Sequence, residues 1–138
     1  DARRSLAAPQ LKAGVDTLSR LPFLKGSKEA FLVLLANTLQ VRLVEPGQVI
    51  AREGEEQTEL IVLRRGNAQG VWKDGQEETF SDGSVIGDPA AFHMKLPWAL
   101  TVTATDFCDV QILTVKGYKS VVGVHGGEGA RIGKALEL

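Results

Sequence analysis

Between residues 40 and 115 the chain reverses every few residues, and glycine marks most of the reversals. Pro46-Gly47, Gly66, Asp74-Gly75 and Asp82-Gly83 separate short runs such as "VRLVEPGQVIAREGE" and "TELIVLRRGNAQGVW", in which apolar and polar residues alternate. No ten-residue helical pattern lies between these runs to serve as the crossover that a parallel sheet requires. Short, glycine-punctuated strands without crossovers predict an antiparallel barrel or jelly roll. The expected class is therefore α+β and mainly β, a double-stranded β-helix or β-roll with helices before and after it.

The flanks carry the helical signal. Residues 1–39 contain "LAAPQLKAGVDTLSRL" and "SKEAFLVLLANTL", joined by "LPFLKG", where Pro22 breaks the helix and Phe23 and Leu24 can plug a core. Ser27 is placed to cap the second helix, with Ala30, Phe31, Leu34 and Leu35 on its apolar stripe. Residues 116–138 return to weaker helix: "KGYKSVV", a glycine-rich break "GVHGGEG", then "ARIGKALEL". Those glycines predict a hinge, because each adds conformations that ordering must remove. The expected organisation is one domain: N-terminal helices over 1–39, a roll over 40–115 and C-terminal helices over 116–138.

Composition narrows the function. At 138 residues and 43% apolar content the chain can bury a core, and its longest apolar run, "AFLVLLA", falls far short of the roughly 20 residues that span a bilayer. A chain that starts without methionine reads as a piece of something longer. A formal charge of −1 gives a nucleic-acid partner no electrostatic support, and Arg3-Arg4 and Arg64-Arg65 read as solvated faces. One cysteine, Cys108, excludes an internal disulfide and suits a reducing compartment. His93 and His125 lack ligand-spaced partners, so no metal is expected. Catalysis is not expected either, since no nucleophile elbow or histidine cluster on strands occurs.

The segment "GDPAAFHMKLPWALTV", residues 87–102, is the chemically distinctive one. Gly87 allows a tight turn, Asp88 suits a helix N-cap and Pro89 the first helical position. Such an opening aims backbone N–H groups at an anion. The only cation between Gly87 and Val102 is Lys95. Trp98 reads as an aromatic filling a cavity, with stacking on a purine as the alternative; Trp72 reads as core or rim packing without a site role.

These features together resemble the cyclic-nucleotide-binding domain family. "EPGQVIAREGEEQTELIVLRRG" is similar to its opening strands, with Pro46-Gly47, Glu53-Gly54 and Gly66 at the turns, "SDGSVIGD" to the approach to its phosphate-binding cassette, and "ATDFCDVQILTVKGYKSVV" to its last strands and following helix. Within the family, "LPFLKGSKEAFLVLLANTL" and "TDFCDV" look most like the cytoplasmic domains of pacemaker, nucleotide-gated and ether-à-go-go-type potassium channels. Kinase regulatory subunits and exchange factors are the other parents it allows.

The resemblance implies a pocket formed by Gly87, Asp88, Pro89, Ala90, Trp98, Ala99, Leu100 and Thr101. Ile132 and Leu136, four apart, would be the apolar face of a lid helix, or packing on the roll by the same spacing. It also implies where this chain departs from nucleotide-binding members. Asp88 replaces a glutamate that takes the ribose hydroxyl, Trp98 stands for the phosphate arginine, and Ala99 for a hydroxyl residue. A charge-assisted hydrogen bond contributes about 1.5–3 kcal/mol, so losing both contacts weakens a cyclic nucleotide by roughly two to three orders of magnitude. The resulting expectation is a non-catalytic regulatory domain on the cytoplasmic side of a voltage-gated potassium-type channel, with weak or no cAMP or cGMP binding. The alternative is a working cAMP/cGMP sensor with atypical phosphate contacts. Implied partners are the rest of the channel, as a tetramer, and a C-terminal peptide of the same chain as an alternative pocket occupant. Occupancy of the pocket would shift the terminal helices and so bias a gate, by no more than the occupant's differential affinity for the two states.

Overall fold

A computed structural model describes residues 8–136. The chain divides into two compact units: residues 40–115, and the helices that precede and follow them.

Residues 40–115 build two four-stranded antiparallel sheets. The strands are β1 (Gln40–Val44), β2 (Val49–Ala51), β3 (Glu59–Arg65), β4 (Ala68–Trp72), β5 (Glu77–Phe80), β6 (Val85–Ile86), β7 (Leu100–Ala104) and β8 (Cys108–Thr114). One sheet runs β1-β8-β3-β6 and the other β2-β7-β4-β5. Consecutive strands thus repeatedly change sheets, as in a jelly roll. Period-two alternation decides which side chains meet between the sheets. On β7, Leu100, Val102 and Ala104 are buried while Thr101 and Thr103 are half-buried. They join Ile61, Leu63, Phe80, Val110 and Ile112 in a core that also takes Trp98. Cys108 is buried there too, its thiol donating to the Asn67 carbonyl. Burial pushes that thiol's pKa up, and Asp106 adds to the effect against the Asn67 contact.

The helical unit contains α1 (Ala8–Ser19), a 3-10 turn (Pro22–Leu24), α2 (Glu29–Thr38), α4 (Val115–Val122) and α5 (Gly126–Ala135); α3 (Pro89–Met94) belongs to the roll. Phe23 and Leu24 are buried. On α2 the buried face is Phe31, Leu32, Leu35 and Ala36. Phe31 and Leu35 are buried as expected, but Ala30 and Leu34 are exposed and Leu32 and Ala36 take their place on the inward face. Ser27 does not cap that helix either. Its hydroxyl accepts from Arg131, while the Lys28 amide at the α2 N-cap donates to Glu128 Oε1 at 3.2 Å.

The glycine-rich break is shorter than its composition predicts, since α5 starts inside it at Gly126. Glycine in a helix costs roughly 1 kcal/mol against alanine. Here the first turn is held by Glu128, whose Oε2 accepts from Arg131 Nε at 3.3 Å and Nη2 at 3.0 Å. Arg131 also donates to the Lys25 carbonyl at 2.8 Å. Burial alone would raise the Glu128 pKa, but the Lys28 amide, Arg131 and Ser27 outweigh it and hold the carboxyl below its ordinary value. No helix among the described residues is long and apolar enough to cross a membrane.

Candidate ligand-binding site

On the β2-β7-β4-β5 sheet two cross-strand pairs meet at β4. Trp72 on β4 opposes Leu100 on β7, and Gly70 opposes Glu78 on β5. A side chain at Gly70 would collide with Leu100 and Phe80, its Cβ falling 2.8 and 2.9 Å from them. Glu78 accepts the Trp72 indole N–H at 3.1 Å. The pair forms one wall of a cavity of about 330 Å³.

The facing wall is the segment that follows β6. Gly87 has φ +124°, and an added Cβ would lie 2.8 Å from Gln57 Nε2, 3.0 Å from Leu60 and 3.3 Å from Trp98. Both conformation and space demand glycine there. Asp88 is the N-cap of α3, with Oδ1 accepting the Ala90 amide at 3.0 Å, and Pro89 opens the helix. Gln57 clamps the same backbone from behind: Nε2 donates to the Asp88 carbonyl at 3.1 Å, and the Asp88 amide reaches back to Oε1 at 3.5 Å. The Gln57 amide in turn donates to the Leu96 carbonyl at 2.9 Å.

After α3 the chain turns at Lys95, which takes φ +57° at the helix C-cap. The return strand is strapped to residues 54–57. Trp98 donates its amide to Glu55 and accepts from Gly54, at 2.8 and 2.9 Å, and Glu56 bridges Pro97. These bonds deliver Leu96, Pro97, Trp98 and Ala99 to the cavity mouth. Trp98 is 7% exposed and belongs both to the core and to the cavity wall.

Gly87, Asp88, Trp98, Ala99 and Leu100 thus converge on one cavity. Pro89, Ala90 and Thr101 are outside its lining. The Pro89 carbonyl oxygen accepts from His93 Nδ1 at 2.7 Å. Ala90 spends its amide on Asp88, and the Thr101 hydroxyl accepts from the Glu53 amide at 3.1 Å. Ile132 is buried on α5 and Leu136 caps that helix's C-terminus, both in the helical unit. Other lining residues lay outside the expected set, among them the polar or aromatic Gln57, Trp72 and Glu78. Trp72 packs against the core, as expected, and also lines the cavity. The charged side chains in the lining are Glu78 and Asp88; Lys95 is not among the lining residues. Among the described residues no cluster of histidine, cysteine and acidic side chains could hold a metal ion.

Residues 41–122 match the family model described as the cyclic nucleotide-binding domain. A curated relative, the cAMP-dependent protein kinase regulatory subunit of Eremothecium gossypii, is 31% identical over 75 residues, which cover 54% of this chain and 16% of the relative. The chain therefore spans less than a fifth of that protein. Among solved structures, the C-linker/CNBHD of zELK channels, crystallized in the presence of cAMP, matches with a TM-score of 0.74 and 16% identity, covering 96% of this chain and 70% of the other. The cAMP-bound PfPKA-R matches with a TM-score of 0.66 and 29% identity over 94% of this chain and 47% of the other.

Proposed function

The chain belongs to the cyclic nucleotide-binding domain family, and from that premise we propose that it is a non-catalytic regulatory domain whose cavity binds cAMP and cGMP weakly or not at all. One observation carries this reading: the charged side chains lining the cavity are two carboxylates, Glu78 and Asp88, with no lysine or arginine among the lining residues. A cyclic phosphate buried there would meet like charge and no charged partner, which costs affinity unless backbone donors compensate.

Three backbone positions at the start of α3 are already committed or lack a donor. Pro89 has no N–H, the Ala90 amide is taken by Asp88 Oδ1, and the Asp88 amide faces Gln57. Asp88, placed to receive a ribose hydroxyl in the family pattern, is engaged as a helix cap. Trp98 fills the arginine position with packed indole, and Ala99 brings no hydroxyl.

The channel parent belongs to the same proposal. It rests on the phrases "LPFLKGSKEAFLVLLANTL" and "TDFCDV"; the zELK likeness, at 16% identity, speaks for the fold alone. With that parentage we propose a place on the cytoplasmic side of a membrane, a tetrameric assembly, a C-terminal peptide as pocket occupant, and a lid formed by Ile132 and Leu136. The sensor reading is favoured by one observation, the 29% identity to a structure with cAMP bound. Calorimetric titration with cAMP and cGMP separates the two. The expected outcome is no saturable heat at micromolar ligand; micromolar binding of either nucleotide overturns the proposal in favour of the sensor.

A further inference from the structure

We infer that the cavity takes a small organic ammonium ion with an apolar body. This rests on the reading that the cavity rejects cyclic nucleotides, and goes beyond it by naming what the same walls attract.

Two kinds of residue line the cavity together: the tryptophans Trp72 and Trp98, and the acids Glu78 and Asp88, which are exposed at its mouth. An indole face attracts a cation through its quadrupole, most strongly where water is excluded. Trp72 has its N–H edge tied to Glu78 Oε1 at 3.1 Å, which fixes the ring and places a negative charge at its rim. Trp98 is held at both its amide and its carbonyl by the 54–55 segment. Both walls are therefore set before a ligand arrives, which lowers the ordering cost of binding. The remaining lining is largely apolar, including Phe80, Val85, Leu96 and Leu100.

A hard divalent cation does not suit these walls. It needs six or more oxygen ligands or retained waters, and among the described residues no cluster of three acidic, histidine or cysteine groups is assembled for one. An ammonium carried on carbon is different: its alkyl surface gains from apolar walls while its charge gains from both indole and carboxylate. The cavity of about 330 Å³ lies in the size range of small-molecule sites.

The protein carries its own reporter, because both of its tryptophans line the cavity. Indole emission is followed while choline is added, then its neutral isostere 3,3-dimethylbutan-1-ol, and both titrations are repeated on Glu78→Gln. Choline should change the emission saturably, with half-saturation at least about tenfold below that of the alcohol, and Glu78→Gln should remove most of that preference. Equal half-saturation for the two probes, no saturable response to choline, or a preference untouched by Glu78→Gln overturns the inference. Because the probe pair is compared on the unaltered chain, the result does not depend on the variant's folding. Calorimetry with cAMP keeps the two levels apart. Silence toward both cAMP and choline defeats the cation alone and leaves the nucleotide-poor reading standing, whereas micromolar cAMP binding defeats that reading and the cation with it.

Discussion

Glu128 accepts the backbone N–H of Lys28 at 3.2 Å across a sequence separation of 100 residues, so the start of α2 is capped by a side chain from α5. Arg131 completes the arrangement by gripping the same carboxylate, the Lys25 carbonyl and the Ser27 hydroxyl. Within the helical unit, the two ends of the described chain are thus joined by one buried acid.

Replacing that acid by its neutral isostere tests the joint. Glu128→Gln keeps the shape but loses the charge, and should cost about 1–3 kcal/mol of unfolding free energy in denaturant melts at pH 7. The pH dependence follows from the direction of the shift. The folded-state pKa lies below the ordinary value of 4.5, so the carboxylate's contribution is complete above that value and is lost as pH falls through the folded pKa. The gap between the natural chain and Glu128→Gln should therefore narrow on acidification below about pH 4.5. A gap that stays constant down to acid unfolding would show that the charge is not what matters.

Tyr118 gives the alkaline counterpart. It is buried, and burial pushes its phenol up to about 12 against a small opposing effect from Arg131. The folded state therefore keeps its proton where the unfolded chain, with a value near 10, has lost it. Stability from this group is full below pH 10 and declines between 10 and about 12. As Tyr118 is the chain's one tyrosine, phenolate absorbance reads it directly. Ionisation should lag well behind that of the denaturant-unfolded chain and coincide with alkaline unfolding if that comes first.

How much of this could be read beforehand depended on whether the cause was local. Asp88 as N-cap and Pro89 at the first position of α3 are consequences of three adjacent residues, and both were legible. The roll itself was legible because alternation and turn glycines recur over short distances. Gln57 was not, because its role exists only once residues 54–57 pair with 96–98, some forty positions away. Glu78 meets Trp72 at the cavity through the register that sets β5 against β4, which no periodicity reveals. The α2 stripe was legible only in part, at Phe31 and Leu35, for a related reason. In "SKEAFLVLLANTL" nearly every central position is apolar, so the pattern leaves the inward face undetermined and tertiary packing chooses it.

Gly87 is the position where the cavity wall tolerates least. Alanine there would have to hold φ near +124° and place its Cβ 2.8 Å from Gln57 Nε2. Backbone strain of this kind costs roughly 1–3 kcal/mol before any clash is counted. Gly87→Ala should lower the thermal midpoint by about 5 °C or more and redshift tryptophan emission as the Trp98 ring is displaced. Gly47→Ala is the control, since nothing lies within 4 Å of its added Cβ although its φ is also positive. The difference between the two variants isolates the cost of the crowded wall from that of the left-handed backbone.

The nucleotide-poor reading makes a constructive prediction. If the missing cation is the defect, supplying one at the mouth should restore anion affinity without dismantling the wall. Ala99 is exposed and lines the cavity, so Ala99→Arg adds a guanidinium while leaving the packed Trp98 in place. A charge-assisted hydrogen bond to phosphate contributes about 1.5–3 kcal/mol, or roughly one to two orders of magnitude in affinity. Calorimetry should then show cAMP or cGMP binding at least about tenfold tighter to Ala99→Arg than to the natural chain. Pairing the substitution with Glu78→Gln, which removes a like charge from the same lining, should add to the gain. If neither variant improves on the natural chain while both keep its melting behaviour, the cavity's charge is not what sets its preference, and the shape of the wall built by Gly87, Gln57 and Trp98 must be responsible instead.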